Sequence, residues 1–269
     1  MKKIIVYIFL IFITILCLAP FFWMVSASLM VSGQANTFPP RFFPDKITFA
    51  QYQNLFSRLN VMNYFLNSLI VSFSITVLSL FVNSMAGFAF AKYRFTGKKK
   101  LFKLLLSFMI IPSQVTMLPL FLMLKYMGLI NTYLAVIIPG IASISGIFLI
   151  RQYLLAVPDS LIEAAKIDGA SDFQIYYSII LPLAKPILIT LAIFTFMTAW
   201  NDFLWPLIAM TSDSMYTLPV ALANLMGEHS LDTELMMAGS VFTILPVLLF
   251  FLLLQKYYIK GIMMGAIKE

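Results

Sequence analysis

The chain has 269 residues, of which 61% are hydrophobic and 11% are charged. Soluble domains carry about 25% charged residues, so a water-soluble globular fold is excluded. The net charge of +7 invites a nucleic-acid partner, but its distribution has another explanation, given below.

Lys2 and Lys3 precede an apolar run over 4–30. It is too long for a signal-peptide core of about 7–15 residues. Leu16 before Cys17 is too bulky for a lipoprotein cleavage site. The run therefore reads as an uncleaved first span. Cys17, the single cysteine, has no partner for an internal disulfide. A bilayer span needs about 20 apolar residues, and five more runs qualify, at 64–90, 104–124, 133–150, 187–210 and 238–258. The expected fold is an all-α integral membrane protein with six transmembrane helices in one domain over 1–269.

Lys and Arg in the loops set the orientation. With a cytoplasmic N-terminus, that side carries Lys2 and Lys3, then Lys92, Arg94, Lys98, Lys99, Lys100 and Lys103. Arg151, Lys166, Lys185, Lys256, Lys260 and Lys268 complete that side. The outer side has Arg41, Lys46, Arg58 and Lys125. Fourteen against four is a topology signal, so no nucleic acid is needed to explain the charge. Both termini are expected in the cytoplasm.

Between the fourth and fifth spans lies PDSLIEAAKIDGASDFQIYYSIILPLAKP, Pro158 to Pro186. Pro158 suits a first helical turn. Ser160 and Glu163 have the spacing of a capping box, as do Ser171 and Gln174. Leu161, Ala164, Ala165 and Asp168 fall on one helical face. Gly169 is a helix stop, because only Gly enters the left-handed region freely. Phe173, Tyr176, Tyr177 and Ile180 form a second apolar face. Pro182 is expected to end that helix, and Pro186 to open the next.

Glu163-Ala164-Ala165, then Gly169, then Ile179-x-Leu181-Pro182 match the EAA loop of ABC-importer membrane subunits without departure. The resemblance implies a cytoplasmic coupling helix, within 153–185, that docks on a separate ATP-binding subunit. Ala164 and Ala165 would allow close approach, and Glu163 would meet a basic partner residue.

The outer loops are polar. Pro39, Pro40 and Pro44 keep the start of the first, 31–62, extended. The third, 211–237, holds Asp213, Glu228, His229, Asp232 and Glu234, with Gly227 read as a turn. It is expected to contact a docked binding protein. His229 is the only histidine and reads as a solvated loop residue, so no metal site is expected. Pro112, Pro119, Pro139 and Pro246 fall in spans, where neighbours or waters must satisfy the freed carbonyls. Gly140, Ala142, Ser143, Ser145 and Gly146 allow close helix packing.

The fifth span contains Trp200-Asn201-Asp202-Phe203-Leu204-Trp205-Pro206-Leu207. A carboxylate in or near the apolar layer is a functional hypothesis by default. Trp200, Asn201, Asp202 and Phe203 offer rings and acceptors, which a sugar requires. A continuous helix would put Trp200, Phe203 and Leu204 on one face, with Trp205 over Asn201. An interfacial aromatic belt explains the same residues.

The stretch resembles the WND-x-x-W-P-L segment of carbohydrate-importer permeases. Supporting pieces are Ile47-Thr48-Phe49-x-x-Tyr52-x-x-Leu55, Asn67-Ser68, Ala91-Lys92-Tyr93-Arg94-Phe95 and the tail from Lys260-Gly261 to Gly265-Ala266. The chain is most similar to the second permease subunit of maltose-type importers. That implies a second permease subunit, two ATP-binding subunits and an extracytoplasmic sugar-binding protein in the cytoplasmic membrane. Gly97-Lys98-Lys99 lacks the spacing and hydroxyl of a phosphate loop. The chain itself therefore has no expected catalytic residue or cofactor, and ATP and Mg would sit on the partner. Alternatives are an importer subunit for glycerol-phosphate or another polyol, a secondary transporter, or a membrane scaffold.

Overall fold

Each of the expected apolar runs folds mainly as helix. A computed structural model describes residues 2–39, 41–58, 60–228 and 232–266; Pro40, His229 and Lys268 lie outside them. In chain order the helices are α1 Lys2–Ser28, α2 Ala50–Arg58, α3 Val61–Lys92, α4 Lys98–Ser107, α5 Ser113–Tyr126, α6 Tyr133–Gly140 and α7 Ile144–Leu155. Then come α8 Asp159–Ile167, α9 Asp172–Ile175, α10 Leu181–Leu183, α11 Lys185–Trp200, α12 Leu204–Ala209, α13 Leu218–Glu228 and α14 Thr233–Ala266. No strand occurs among the described residues.

Four stretches are long and apolar enough to cross a membrane: Lys3–Ser28, Val61–Lys92, Tyr133–Leu155 and Thr233–Leu253. Two bent pairs raise the number to six. The first pair, Lys98–Ile110 and Ser113–Tyr126, is bent by 102°. The run over 104–124 is therefore not one straight helix. Ile111 and Pro112 cause the bend: both are extended, and the proline supplies no donor to continue the ladder. The second pair, Asp172–Leu183 and Lys185–Trp200, is bent by 78°.

The chain divides into two compact units, 1–66 with 217–248, and 67–216 with 249–269. In the first, the side chains of α1 from Ile4 to Leu18 are mostly exposed, as lipid-facing residues are. The end of the helix is tied down. Ala27, Met30 and Ala35 form a small core with Trp23 and Met237 against it. Ser26 donates to the Phe42 carbonyl at 2.6 Å, and Gln51 donates to the Met30 carbonyl at 3.3 Å. The acidic loop expected over 211–237 is largely helical. Gly227 lies inside α13 rather than at a turn. Glu234 is not solvated: it is fully buried, and its carboxylate accepts from the Ala35 N–H at 2.6 Å. Phe242 packs between Phe56 and Phe65, at 5.4 and 5.5 Å.

The second unit holds two cores. One is built on Ile150, Leu154, Ile175, Tyr176, Ile180 and Leu191. The other is built on Val71, Leu124, Val136, Trp205, Ala209 and Met210. The small residues of the fourth span pack against α3, as expected of them. A Cβ at Gly146 would meet Asn83 at 2.8 Å, and one at Gly140 would meet Ile75 at 3.0 Å. Gly87 faces Ile150 in the same way, at 2.7 Å. Close approach lets Asn83 reach the break at 141–143, where its amide oxygen accepts from the Ser143 N–H at 3.0 Å. Ser143 in turn caps α7 through the Gly146 N–H.

Candidate functional site

Two features of the second unit concern the expected sites: the turn at 153–185 and a cavity beside Asp202. The turn begins at Pro158, which is extended and precedes α8 as its cap residue. The capping box expected from Ser160 and Glu163 does not form, because the helix already starts at Asp159 and Ser160 lies within its first turn. Asp159 is instead held from outside. Lys92, at the end of α3, donates to its carboxylate at 2.6 Å and also to the Val157 carbonyl. That hydrogen bond, then the Lys92 charge, keeps the Asp159 carboxyl below the usual carboxylate range. The contact puts the 92–103 segment and the turn at the same end of α3.

Helix α8 ends as expected at Gly169, whose φ is +82°. The Ala170 N–H bonds the Ala165 carbonyl and the Gly169 N–H bonds the Lys166 carbonyl, the paired bonds of a Schellman motif. Ala165 and Ala170 pack on the core beneath. The second capping box forms in full: Ser171 accepts from the Gln174 N–H, and the Gln174 side chain accepts from the Ser171 N–H at 2.7 Å. Asp172 lies near the Tyr93 hydroxyl and 3.5 Å from Lys166, and both hold its carboxyl low, the hydroxyl more.

Beyond α9 the chain winds wider, as one π turn over Tyr176–Ile180. Pro182 does not end the helix, which runs on through α10 to Leu183. A proline at the start of a new turn needs no donor, and the wide turn before it absorbs the ring. The break falls at Ala184, and Pro186 opens α11 as expected.

The faces of this turn differ from the expected ones. On α8 the inward residues are Ile162 and Ala165, while Leu161, Glu163, Ala164 and Asp168 point outward. After Gly169 the buried residues are Ile175, Tyr176 and Ile180. Phe173 and Tyr177, expected on that buried face, are 61% and 66% exposed. Tyr177 lies within the π turn, where the wider winding shifts the register, while Phe173 precedes it. Of the matched motif residues, Glu163, Ala164, Gly169 and Pro182 are exposed, and Ala165, Ile179 and Leu181 are half-buried. Ile167, which sequence reasoning passed over, is 86% exposed. Its signal was present: it follows Ala164 by one helical turn, on the outward side. Tyr176 anchors the turn, its hydroxyl 2.6 Å from the Ser84 hydroxyl of α3.

The cavity has a volume of about 930 Å³. Ser79, Ser143, Thr195, Thr198, Asp202 and Trp205 contribute to its lining. The helix expected across 187–210 breaks here, between Trp200 and Leu204. Asp202 sits in the break itself, with the Trp205 and Phe203 backbone N–H groups near its carboxylate, before the chain restarts as α12. Trp205 is pinned by its indole N–H on the Ala135 carbonyl at 3.0 Å. Of the four residues expected along a substrate path, the structure puts only Asp202 on the cavity. Trp200 is buried and stacks on Phe196, with centroids 5.7 Å apart. Asn201 is exposed and donates to the Met197 carbonyl at 2.8 Å, closing the end of α11. Phe203 is half-buried and is not part of the lining. Trp205 takes the place of the expected ring.

A helical membrane domain with an outward-facing turn at one end and a polar-edged cavity within has the architecture of a transporter's membrane component. The model of the family described as "Binding-protein-dependent transport system inner membrane component" matches residues 83–263, and the chain belongs to that family. It is a multi-pass transport permease. The chain is 37% identical to the arabinooligosaccharides transport system permease protein AraQ of Halalkalibacterium halodurans, over 96% of this chain and 93% of that one. It is 33% identical to the lactose transport system permease protein LacG of Rhizobium radiobacter, over 94% and 92%. It is 32% identical to the melibiose/raffinose/stachyose import permease protein MelC of Bacillus subtilis, over 93% and 91%. Among solved structures, a bacterial ABC transporter involved in the import of the acidic polysaccharide alginate contains a similar chain. That likeness has a TM-score of 0.84 at 25% identity and covers 96% of both chains.

Proposed function

We propose that the chain is a permease subunit of an ATP-driven sugar importer. It forms half of the path for a sugar or oligosaccharide, beside a second permease subunit. Two ATP-binding subunits dock on the 153–185 turns and carry ATP and Mg. An extracytoplasmic sugar-binding protein delivers the substrate to the opposite side. Both termini lie in the cytoplasm, in keeping with the loop charges.

One observation carries the docking reading. Leu161, Ile167, Phe173 and Tyr177 are all large, apolar and exposed on this turn. An exposed apolar group rimmed by charge marks an interaction surface. The Schellman turn and the capping box fix it in one shape before any partner arrives, which lowers the ordering cost of binding. The sugar reading is supported by the relatives' names and by a cavity edged with hydroxyls, a carboxylate and an indole.

The test is co-purification of the tagged chain with the ATP-binding subunit, with Glu163→Lys beside the wild type. A charge reversed at an interface turns attraction to repulsion. The variant inserts in the membrane, loses the ATP-binding subunit and loses uptake. Full recovery of that subunit and normal sugar-stimulated ATPase with Glu163→Lys would remove the docking assignment.

A further inference from the structure

The segment after α3 concentrates positive charge around a second cavity of about 900 Å³. Arg94, Lys98, Lys99, Lys100 and Lys103 border it from α4 and the turn before it. Arg151 borders it from α7. None of these six makes an ion pair within 4.0 Å to a described carboxylate. The nearby acid, Asp159, is engaged by Lys92.

Loop charges that only set topology need no arrangement, but these are arranged. The Arg151 Nε donates to the Phe90 carbonyl at 3.1 Å, and its guanidinium lies 4.2 Å from the centre of the Phe102 ring. Phe102 is itself clamped by Phe90 and Phe148. This fixes the guanidinium, a planar fork suited to phosphate. Lys98 is bent back onto the Ala91 and Tyr93 carbonyls. Burial, then repulsion from Arg151 ahead of the other neighbouring cations, lowers its pKa. An anion would relieve that repulsion. Gly97, which lines the cavity, is the cap residue of α4, and no side chain caps the helix there.

Helix α4 is divided into three sectors. At 100° per residue, Phe102, Leu105, Leu106 and Lys98 face the protein, and all four are half-buried. Lys99, Lys100 and Lys103 fill a second, exposed sector. Leu101, Leu104 and Phe108 fill a third, and they are 48%, 54% and 52% exposed. The 102° bend sets α4 at a wide angle to α5. A short helix with one cationic and one apolar sector is the form that lies in a membrane interface.

We propose that this cavity is a headgroup site for an anionic phospholipid. The phosphate sits among Arg94, Lys103 and Arg151, and the acyl chains lie along Leu101, Leu104 and Phe108. Zwitterionic lipid fits less well because its ammonium would meet the same cations. A basic pocket at the cytoplasmic face is where such headgroups are held.

The test is native mass spectrometry of the full-length purified chain. It is titrated with phosphatidylglycerol, with phosphatidylcholine of the same acyl chains, and with inorganic phosphate alone. Phosphatidylglycerol is retained at about tenfold lower concentration than phosphatidylcholine. Arg94→Gln and Lys103→Gln, both at exposed positions that leave the fold intact, each weaken it about fivefold. Lys185→Gln, a charge outside the cavity, leaves retention unchanged. Arg151→Lys keeps the charge but not the fork and weakens retention too. Equal retention of both lipids, or no change in Arg94→Gln and Lys103→Gln, overturns the site. Inorganic phosphate displacing the lipid at similar concentration reassigns it to a free anion. Adducts that vanish when the ATP-binding subunit co-purifies give the surface to that protein instead.

Discussion

The Lys92 ammonium sits 2.6 Å from the Asp159 carboxylate, 67 residues further along the chain. It joins the end of α3 to the first turn of α8. The lysine is nearly buried while the carboxylate is open to water.

That contact predicts a pH dependence with a definite sign. The Asp159 carboxyl is held below its usual range, chiefly by the Lys92 hydrogen bond. A lowered folded pKa stabilises above the unfolded value, about 3.9 for Asp. The contribution is lost as pH falls through the folded value. Thermal melting in detergent is therefore flat in this term from neutral pH to about pH 5 and falls in stronger acid. Asp159→Asn lacks that part of the fall. Identical acid profiles for the two proteins would separate Lys92 from the anchoring of α8.

Gly169 predicts a difference between two substitutions. At φ +82° a β-branched residue is strained, whereas Asn enters the left-handed region more easily. Gly169→Val costs about 1–2 kcal/mol of local stability and turns the two halves of the docking surface apart. Gly169→Asn largely spares it. Uptake and recovery of the ATP-binding subunit, compared at equal membrane expression, check this. Equal loss in both variants, or none, would dismiss the turn as the cause.

Ile167 separates docking from folding. With 86% of its surface free, its loss leaves the melting temperature of the lone chain unchanged. If a partner covers it, removing the side chain costs about 2 kcal/mol of affinity, roughly thirtyfold. Titration of Ile167→Ser with the ATP-binding subunit reads this directly. Unaltered affinity moves the interface off the outer face of α8.

Asp202 borders the cavity and sits in the break before α12. Asp202→Asn keeps the size of the side chain but removes the charge. It alters uptake or sugar preference more than Leu204→Val, since a lost polar contact discriminates substrates more sharply than a lost methylene. Assembly is normal in both. Normal uptake of every tested sugar by Asp202→Asn would leave the residue with a structural role alone.

The helical, membrane-embedded character was legible in the apolar runs, because length and composition alone set the need for internal hydrogen bonding. The Gly169 stop and the Ser171 capping box were legible for a local reason: both motifs close within six residues. What did not show was anything decided across the fold. The inward faces of α8 and α9 depend on where α3 and α7 lie, and the π turn moves the register in between. The break at 201–203 interrupts the helix that would have put Trp200 and Phe203 on the path, and Trp205 lines the cavity while Trp200 is buried against Phe196. Glu234 looked solvated because its partner, the Ala35 N–H, is 199 residues away.

The two helix interruptions at 141–143 and 201–203 both border the Asp202 cavity, through Ser143 and Asp202. Where a helix stops, its last carbonyls and the next helix's first amides lose their internal partners. A sugar's hydroxyls could then be met partly by main chain. Such a lining cannot be erased by exchanging one side chain. If the cavity is the sugar path, that lining sets a tolerant background on which individual side chains adjust preference.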